Sequence, residues 1–250
     1  MNPIKPISRQ IKGVYSFLQY TKKINAIHLT VPVDGTNLVE HRNNNTRKKI
    51  SYTAYMIYII SDVLRCFPEL NIAIKRSKFF PKVVEYESIN AKFMLDRKIN
   101  GENKVMPCVV KNSDKKTLEE IQEIIDKCKF SDYKTSIFFK ETRLIENQPK
   151  YLRRLISYLS YHNLAKRHRI QGSFMITSLK DKDLVTEALF LNSTMSISLD
   201  KLKNIPIIKN NEKFYKVIMN LTMTFEEHVL NSTLATDFIS EIKSKIENFK

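Results

Sequence analysis

Leu221-Thr222-Met223-Thr224-Phe225-Glu226-Glu227-His228-Val229-Leu230-Asn231-Ser232 is the stretch that sets the reading of this chain. Its first five residues alternate large apolar side chains with threonine, the period of a strand that lays one face on a core. A Glu-Glu-His cluster follows at the strand end, then the polar pair Asn231-Ser232. Apolar residues at helical spacing run from Leu234 to Phe249. Ionisable groups delivered by a strand end just before a helix suit acid–base chemistry. Which of Glu226, Glu227 and His228 carries it decides whether the chain is an enzyme.

Working outward, Met195 to Leu199 and Phe214 to Phe225 read as strands, as does Gly172 to Leu179. Upstream, Ile27 to Val33 alternates as a strand, and Asp34-Gly35 marks a turn with Thr36 as the cap of the helix that follows. Tyr52 to Phe67 is the strongest helical segment, capped by Ser51 or Thr53 and stopped by Pro68. Short strands are expected at Leu70 to Ile74 and Lys82 to Tyr86. Two more, Ile89 to Leu95 and Lys104 to Val110, flank the turn Asn100-Gly101. Ser113 is expected to open a helix that turns Leu118, Ile121, Ile124 and Ile125 inward and Glu119, Glu120 and Glu123 outward. A first helix is expected between Pro6 and Lys23. From Pro149 to Lys166 a basic amphipathic helix or helix pair carries the stripe Leu152, Leu155, Ile156 and Leu159. That stripe either packs on the domain or faces lipid or substrate. His162 and His168 read as solvated. Together these segments give one α+β domain over residues 1–250, built on a large mixed sheet.

The chain has 250 residues, 42% of them apolar, enough for a substantial core. No apolar run approaches the ~18 residues that span a bilayer, and the N-terminus lacks the apolar segment of a secretory signal. A cytoplasmic location is expected. Cys66, Cys108 and Cys128 are dispersed, without CxxC spacing or a neighbouring histidine, and read as free thiols rather than metal ligands. No metal is expected. The net charge of +16 suits nucleic acid, a membrane surface or an anionic small molecule. Because the excess is spread along an Asn-, Ile- and Lys-rich chain, nucleic acid is disfavoured. Coenzyme A, with its phosphates, fits such a field.

Several segments, in this order, resemble the catalytic domain of the dihydrolipoyl acyltransferases of 2-oxoacid dehydrogenase complexes, which share their fold with chloramphenicol acetyltransferase. Pro6-Ile7-Ser8-Arg9 and Ile27-His28-Leu29-Thr30-Val31-Pro32-Val33-Asp34 are similar to the family's first helix and strand. Ser51 to Cys66, ending in Pro68-Glu69-Leu70-Asn71, is similar to its long helix. Met106-Pro107, followed by Asp114-Lys115-Lys116-Thr117-Leu118, resembles a further shared stretch. Ser173-Phe174-Met175-Ile176-Thr177-Ser178-Leu179 resembles its Phe-Thr-Ile-Ser/Thr-x-Leu-Gly strand, with Lys180 in place of the glycine. Met219 to Phe225 resembles the strand that leads into its His-x-x-x-Asp-Gly motif. The resemblance spans nearly the whole chain. No lipoyl or subunit-binding domain is expected, and Tyr151-Leu152-Arg153-Arg154-Leu155 is more like the stand-alone members.

The resemblance implies a chloramphenicol acetyltransferase-like two-layer α+β fold, a large mixed β-sheet flanked by helices. It implies a homotrimer with sites between subunits, and acyl transfer between CoA, or a carrier thioester, and a small-molecule or carrier-bound acceptor. In ungapped register Glu227 falls on the catalytic histidine, His228 on an arginine, Asn231 on the aspartate and Ser232 on the glycine. Thr177 retains the hydroxyl that stabilises the oxyanion, where one donor is worth about 3–4 kcal/mol. Glu227 is a poor replacement: a carboxylate near 4.3 must deprotonate a thiol near 8.5, a gap of about 6 kcal/mol that burial narrows. A one-residue bulge would instead bring His228 in as base. Ser178, Ser232 and His28 are candidates for substrate contact, His28 having the alternative of an ordinary strand-face residue. The competing expectation is a pseudoenzyme that keeps the fold as a trimeric binding or scaffold module.

Overall fold

The computed structural model describes residues 26–45, 49–75, 82–99, 102–149, 163–178, 194–209, 212–226 and 232–250, with 151, 152, 155, 156, 158 and 159. The helix expected between Pro6 and Lys23 lies outside the described residues. Along the chain, β1 (Ala26–Asp34) leads into α1 (Thr36–Asn44) and α2 (Tyr52–Cys66). The hairpin β2 (Ile72–Lys75) and β3 (Lys82–Glu85) and the longer hairpin β4 (Ala91–Ile99) and β5 (Glu102–Val110) come next. Then follow α3 (Leu118–Phe130), α4 (Lys140–Glu146) and α5 (Leu164–Gln171). The chain closes with β6 (Phe174–Ser178), β7 (Met195–Leu199), β8 (Lys203–Lys209), β9 (Glu212–Glu226) and α6 (Ser232–Glu247).

The long strand β9 is the axis of the sheet. Its C-terminal half is paired antiparallel on both sides, with β1 and with β7, while its N-terminal half forms a hairpin with β8. Beyond β7 lie β6, β4 and β5, and β6 is parallel to both of its neighbours. The sheet is therefore mixed, and β2–β3 form a separate two-stranded sheet.

Period-two alternation divides the sheet into two faces. Leu221, Met223 and Phe225 of β9, Ile197 of β7, Phe174 of β6 and Phe93 of β4 are buried in one hydrophobic core. α2 crosses this face with nine of its 15 residues buried, which its apolar-rich sequence allows. α3 contributes Leu118, Ile121 and Ile125, and α6 contributes Phe238, Ile239 and Ile242. Truncating a filled site such as Phe225 or Phe238 to alanine would cost about 3–5 kcal/mol.

The caps refine the expected boundaries. Ser51 caps α2, accepting from the Ala54 amide at 3.3 Å, and its own amide and hydroxyl donate to Gln122 Oε1 on α3, each at 2.8 Å. Ser113 opens only a short 3₁₀ turn, Ser113–Lys115, and not the helix. α3 starts at Leu118 because Thr117 and Glu120 form a reciprocal capping box that satisfies two free amides. Thr36 is not a cap either: it is the first residue of α1, with its hydroxyl 2.5 Å from Asp34 Oδ1.

One expectation is overturned, and one alternative is narrowed. Of the stripe expected around residues 152–159, Leu152, Leu155 and Leu159 are exposed and Ile156 is half-buried. His168 is buried, not solvated. It stacks on Tyr86 with ring centroids 3.9 Å apart, and its Nε2 lies 3.1 Å from Ser173 Oγ. This histidine joins a buried polar knot where β4 and β6 begin. Ser173 N donates to the Asn90 carbonyl (2.7 Å) and the Asn90 amide donates to Ser173 Oγ (3.2 Å). Asn90 Oδ1 accepts from the Asn112 amide at 3.0 Å. Gly172 reaches this knot at φ +71°, and a Cβ there would meet the Asn90 carbonyl oxygen at 2.5 Å, so no other residue fits.

Candidate active site

The second face of the sheet carries the polar half of the alternation. Thr177 of β6, Ser198 of β7, Thr222 of β9 and Thr30 of β1 stand in one register across four neighbouring strands. The adjacent row runs Lys92, Met175, Ser196, Thr224 and His28 from β4 to β1. The cause lies in the sequence: Met195-Ser-Ile-Ser-Leu and Leu221-Thr-Met-Thr-Phe place a hydroxyl at every second position. Four of these hydroxyls are buried, with Ser196, Ser198, Thr222 and Thr224 each 2% exposed or less, while Thr177 is half-buried and Thr30 exposed.

Buried hydroxyls need partners. Thr30 Oγ1 lies 2.9 Å from Thr222 Oγ1, and His28 Nδ1 lies 2.8 Å from Thr224 Oγ1. Asn220 Nδ2 donates to Asp200 Oδ2 at 3.0 Å. Ser196 Oγ has no partner among the described residues. Lys92 is buried on the same face with its Nζ 2.5 Å from Gln171 Oε1, and burial lowers its ammonium to about 8. Among the described residues, no three His, Cys, Asp or Glu side chains converge as a metal site.

Thr177 is half-buried near the C-terminal end of β6. Glu226 is the last residue of β9, buried, in register with Ala26 and on the same face as Thr222 and Thr224. Because β9 is antiparallel to β7 and β7 is parallel to β6, the end of β9 lies beside the beginning of β6. Phe225 is in register with Met195 and so with Phe174, whereas Thr177 aligns with Thr222. Two strand spacings and four residues along the strand put the Glu226 and Thr177 Cα atoms roughly 16 Å apart. One chain thus holds Thr177 and the start of the Glu-Glu-His segment at different ends of the sheet.

The other expected site residues fall as follows. Glu227, His228 and Asn231 lie outside the described residues. Ser232 is the first, exposed residue of α6, and its carbonyl accepts from Thr236 Oγ1 at 2.8 Å. Ser178 is in register with Leu199. His28 shares the hydroxyl face with Thr177 but stands three strand spacings and two residues along the strand away, about 16 Å. Ser196, Ser198 and Lys92 were missed by motif reasoning, although the alternation of β7 and β9 was a usable signal for the two serines. A surface hollow lined by Asn37, Glu40, His41 and Phe249 lies between α1 and the C-terminal residues, and none of these four is on the hydroxyl face.

With the sheet order, the register of Thr177 and the polar face in hand, comparison with known proteins becomes informative. The profile of the family described as "2-oxoacid dehydrogenases acyltransferase (catalytic domain)" matches residues 3–135. The chain belongs to this family. That match covers β1 to α3, so the acyltransferase family is carried by the first half of the chain, while Thr177 and Glu227 lie beyond it. A search of curated proteins returns no match. The fold is similar to that of a probable dihydrolipoamide acetyltransferase from Listeria monocytogenes, at 19% identity over 100% of this chain and 96% of that one, TM-score 0.70. It is similar to a truncated catalytic core of the 2-oxoacid dehydrogenase multienzyme complex from Thermoplasma acidophilum, at 16% identity over 99% of each chain, TM-score 0.70. It is also similar to a chloramphenicol acetyltransferase, at 12% identity over 98% of this chain and 95% of that one, TM-score 0.53. At these identities the likeness establishes the fold: this acyltransferase-family chain has the chloramphenicol acetyltransferase-like architecture, a mixed sheet flanked by helices.

Proposed function

We propose that residues 1–250 act as one acyltransferase catalytic unit that moves an acyl group between CoA or a carrier thioester and a small or carrier-bound acceptor. The observation that carries this reading is Thr177 on a hydroxyl-lined, largely buried face of an acyltransferase-family sheet. In the proposed reaction a base in the Glu227-His228 segment removes the acceptor's proton, and the acceptor attacks the thioester carbonyl. Thr177 Oγ1 donates to the oxyanion. Collapse breaks the carbon–sulfur bond, and the protonated base returns its proton to the leaving thiolate. The +16 charge of the chain favours the phosphates of CoA.

The roughly 16 Å between Thr177 and Glu226 within one chain supports a site completed by a second copy, in a homotrimer. Consistent with that, the β8–β9 hairpin exposes Ile205, Ile208, Phe214 and Tyr215. Exposed apolar side chains gathered on a hairpin are a recurrent subunit-contact signal.

The test is thiol release from acetyl-CoA and longer acyl-CoAs by wild type, Glu227→Ala and His228→Ala, alongside light scattering. Turnover abolished by one of the two substitutions identifies the base. A monomer in solution contradicts the shared site. A second reading, a trimeric binding or scaffold module without turnover, is favoured by one observation, a carboxylate where the family's motif has imidazole. CoA binding without thiol release in every form would establish it.

A further inference from the structure

The three exposed leucines of the apolar stripe are the feature this function leaves unexplained; Ile156, at its edge, is half-buried. Residues 151, 152, 155, 156, 158 and 159 are helical. At 100° per residue Leu152, Leu155 and Leu159 fall within an arc of about 60°. They are 43%, 53% and 56% exposed, and Tyr151 and Tyr158, beside them, are 86% and 44% exposed. A helix this short is marginal in water, and leaving its leucines exposed removes the usual reason for it to be amphipathic.

The sequence around the stripe selects the partner. Between Glu146 and Asp181 there is no acidic residue, while Lys150, Arg153, Arg154, Lys166, Arg167 and Arg169 are all present. Arg167 turns inward to the Ile74 carbonyl at 3.2 Å, and Arg169 pairs with Glu141 at 2.9 Å. The sequence still supplies Lys150, Arg153, Arg154 and Lys166. A self-complementary contact with a second copy would set the same basic segment against this one, which charge opposes. Nucleic acid would satisfy the charge and leave the leucines without a role. An anionic lipid surface suits both: exposed leucines match an acyl boundary, and the basic, acid-free sequence matches anionic headgroups.

We propose that the helix around residues 151–159 docks this protein on anionic membrane surfaces, lying in the interface plane. Among the described residues no helix is long and apolar enough to cross a membrane, so the attachment is peripheral and reversible. The inference does not depend on catalytic activity.

The test is co-sedimentation of the full chain with vesicles of phosphatidylcholine alone and of phosphatidylcholine mixed with phosphatidylglycerol, at low and high salt. Binding is expected only to the anionic vesicles and should weaken about 10-fold at high salt. Leu155→Glu/Leu159→Glu should lower it on the order of 100-fold, with unchanged circular dichroism. Should that variant misfold, Arg153→Gln/Arg154→Gln supplies the second arm, with an expected loss of about 10-fold. Absence of binding to anionic vesicles overturns the proposal, as does binding that neither variant alters. A change of oligomeric state in the leucine variant, without wild-type vesicle binding, would assign the stripe to a second copy instead. Oligonucleotide binding lost in these variants, again without vesicle binding, would assign it to nucleic acid.

Discussion

Thr177 and Ser198 stand opposite one another on the parallel pair β6 and β7, and Thr222 follows Ser198 across the next strand. The acyltransferase-like hydroxyl is therefore one member of a row whose two central hydroxyls, Ser198 and Thr222, are buried. Thr177→Val keeps the shape and removes the donor. The expected effect is a fall in kcat of about 10²–10³-fold with KM within a few-fold. Ser198→Ala, one strand away, should change kcat less than about 10-fold. Steady-state thiol release from acyl-CoA measures both, and an unchanged rate for Thr177→Val would remove this hydroxyl from the reaction.

Gly172 and the Asn90 carbonyl fix how β6 enters the sheet. Gly172→Ala combines an unfavourable φ with a Cβ only 2.5 Å from backbone oxygen, and both strands must shift to admit it. We expect a loss of about 2–4 kcal/mol, read from urea denaturation midpoints. A loss under about 0.5 kcal/mol would mean that the knot yields.

His168 makes stability depend on pH. Burial lowers its imidazole from the ordinary 6.5 to about 4, so the unfolded chain binds the proton more readily than the native one. The associated stability is intact above about pH 6.5, is lost as pH falls toward about 4, and is level below that. The loss is at most about 3 kcal/mol. His168→Gln should flatten this part of the profile in denaturation midpoints taken across that range. An unchanged slope in the variant would place the acid sensitivity elsewhere.

The thiols should separate in a native titration. Cys66 is exposed, whereas Cys108 and Cys128 are buried, and hydrogen bonding to Cys128, with burial, pushes the Cys108 thiol up. One thiol per chain should react rapidly with a disulfide reagent under native conditions and the other two only on unfolding. Rapid native reaction of all three would contradict the packing of β5 against α3.

Much of the fold was legible because its signals are local. The alternation of Leu221 to Phe225 and of Met195 to Leu199 marks two faces without reference to any other strand. The stop at Pro68 is equally local. Where two local signals competed, reading was harder. Ser113 and Thr117 are both acceptable caps, and the capping box with Glu120 chose the second. The Leu152, Leu155 and Leu159 stripe looks the same in sequence whether a domain or a membrane receives it. His168 looks like any histidine in a basic stretch until Tyr86 and Asn90, distant in sequence, are brought beside it.

Residue order alone determined the acyltransferase-like strands, the Thr177 hydroxyl, the carboxylate at Glu227 and the basic, acid-free segment around the exposed stripe. Each follows from side-chain chemistry or from a period of a few residues. Tertiary structure alone decided that the centre of the hydroxyl face, on β7 and β9, is buried, that His168 is inside and three leucines outside, and that Thr177 and the end of β9 lie about 16 Å apart. Those facts depend on strand order and direction, and on what lies over each face. Both are set by contacts between residues far apart in the chain, which no local pattern encodes.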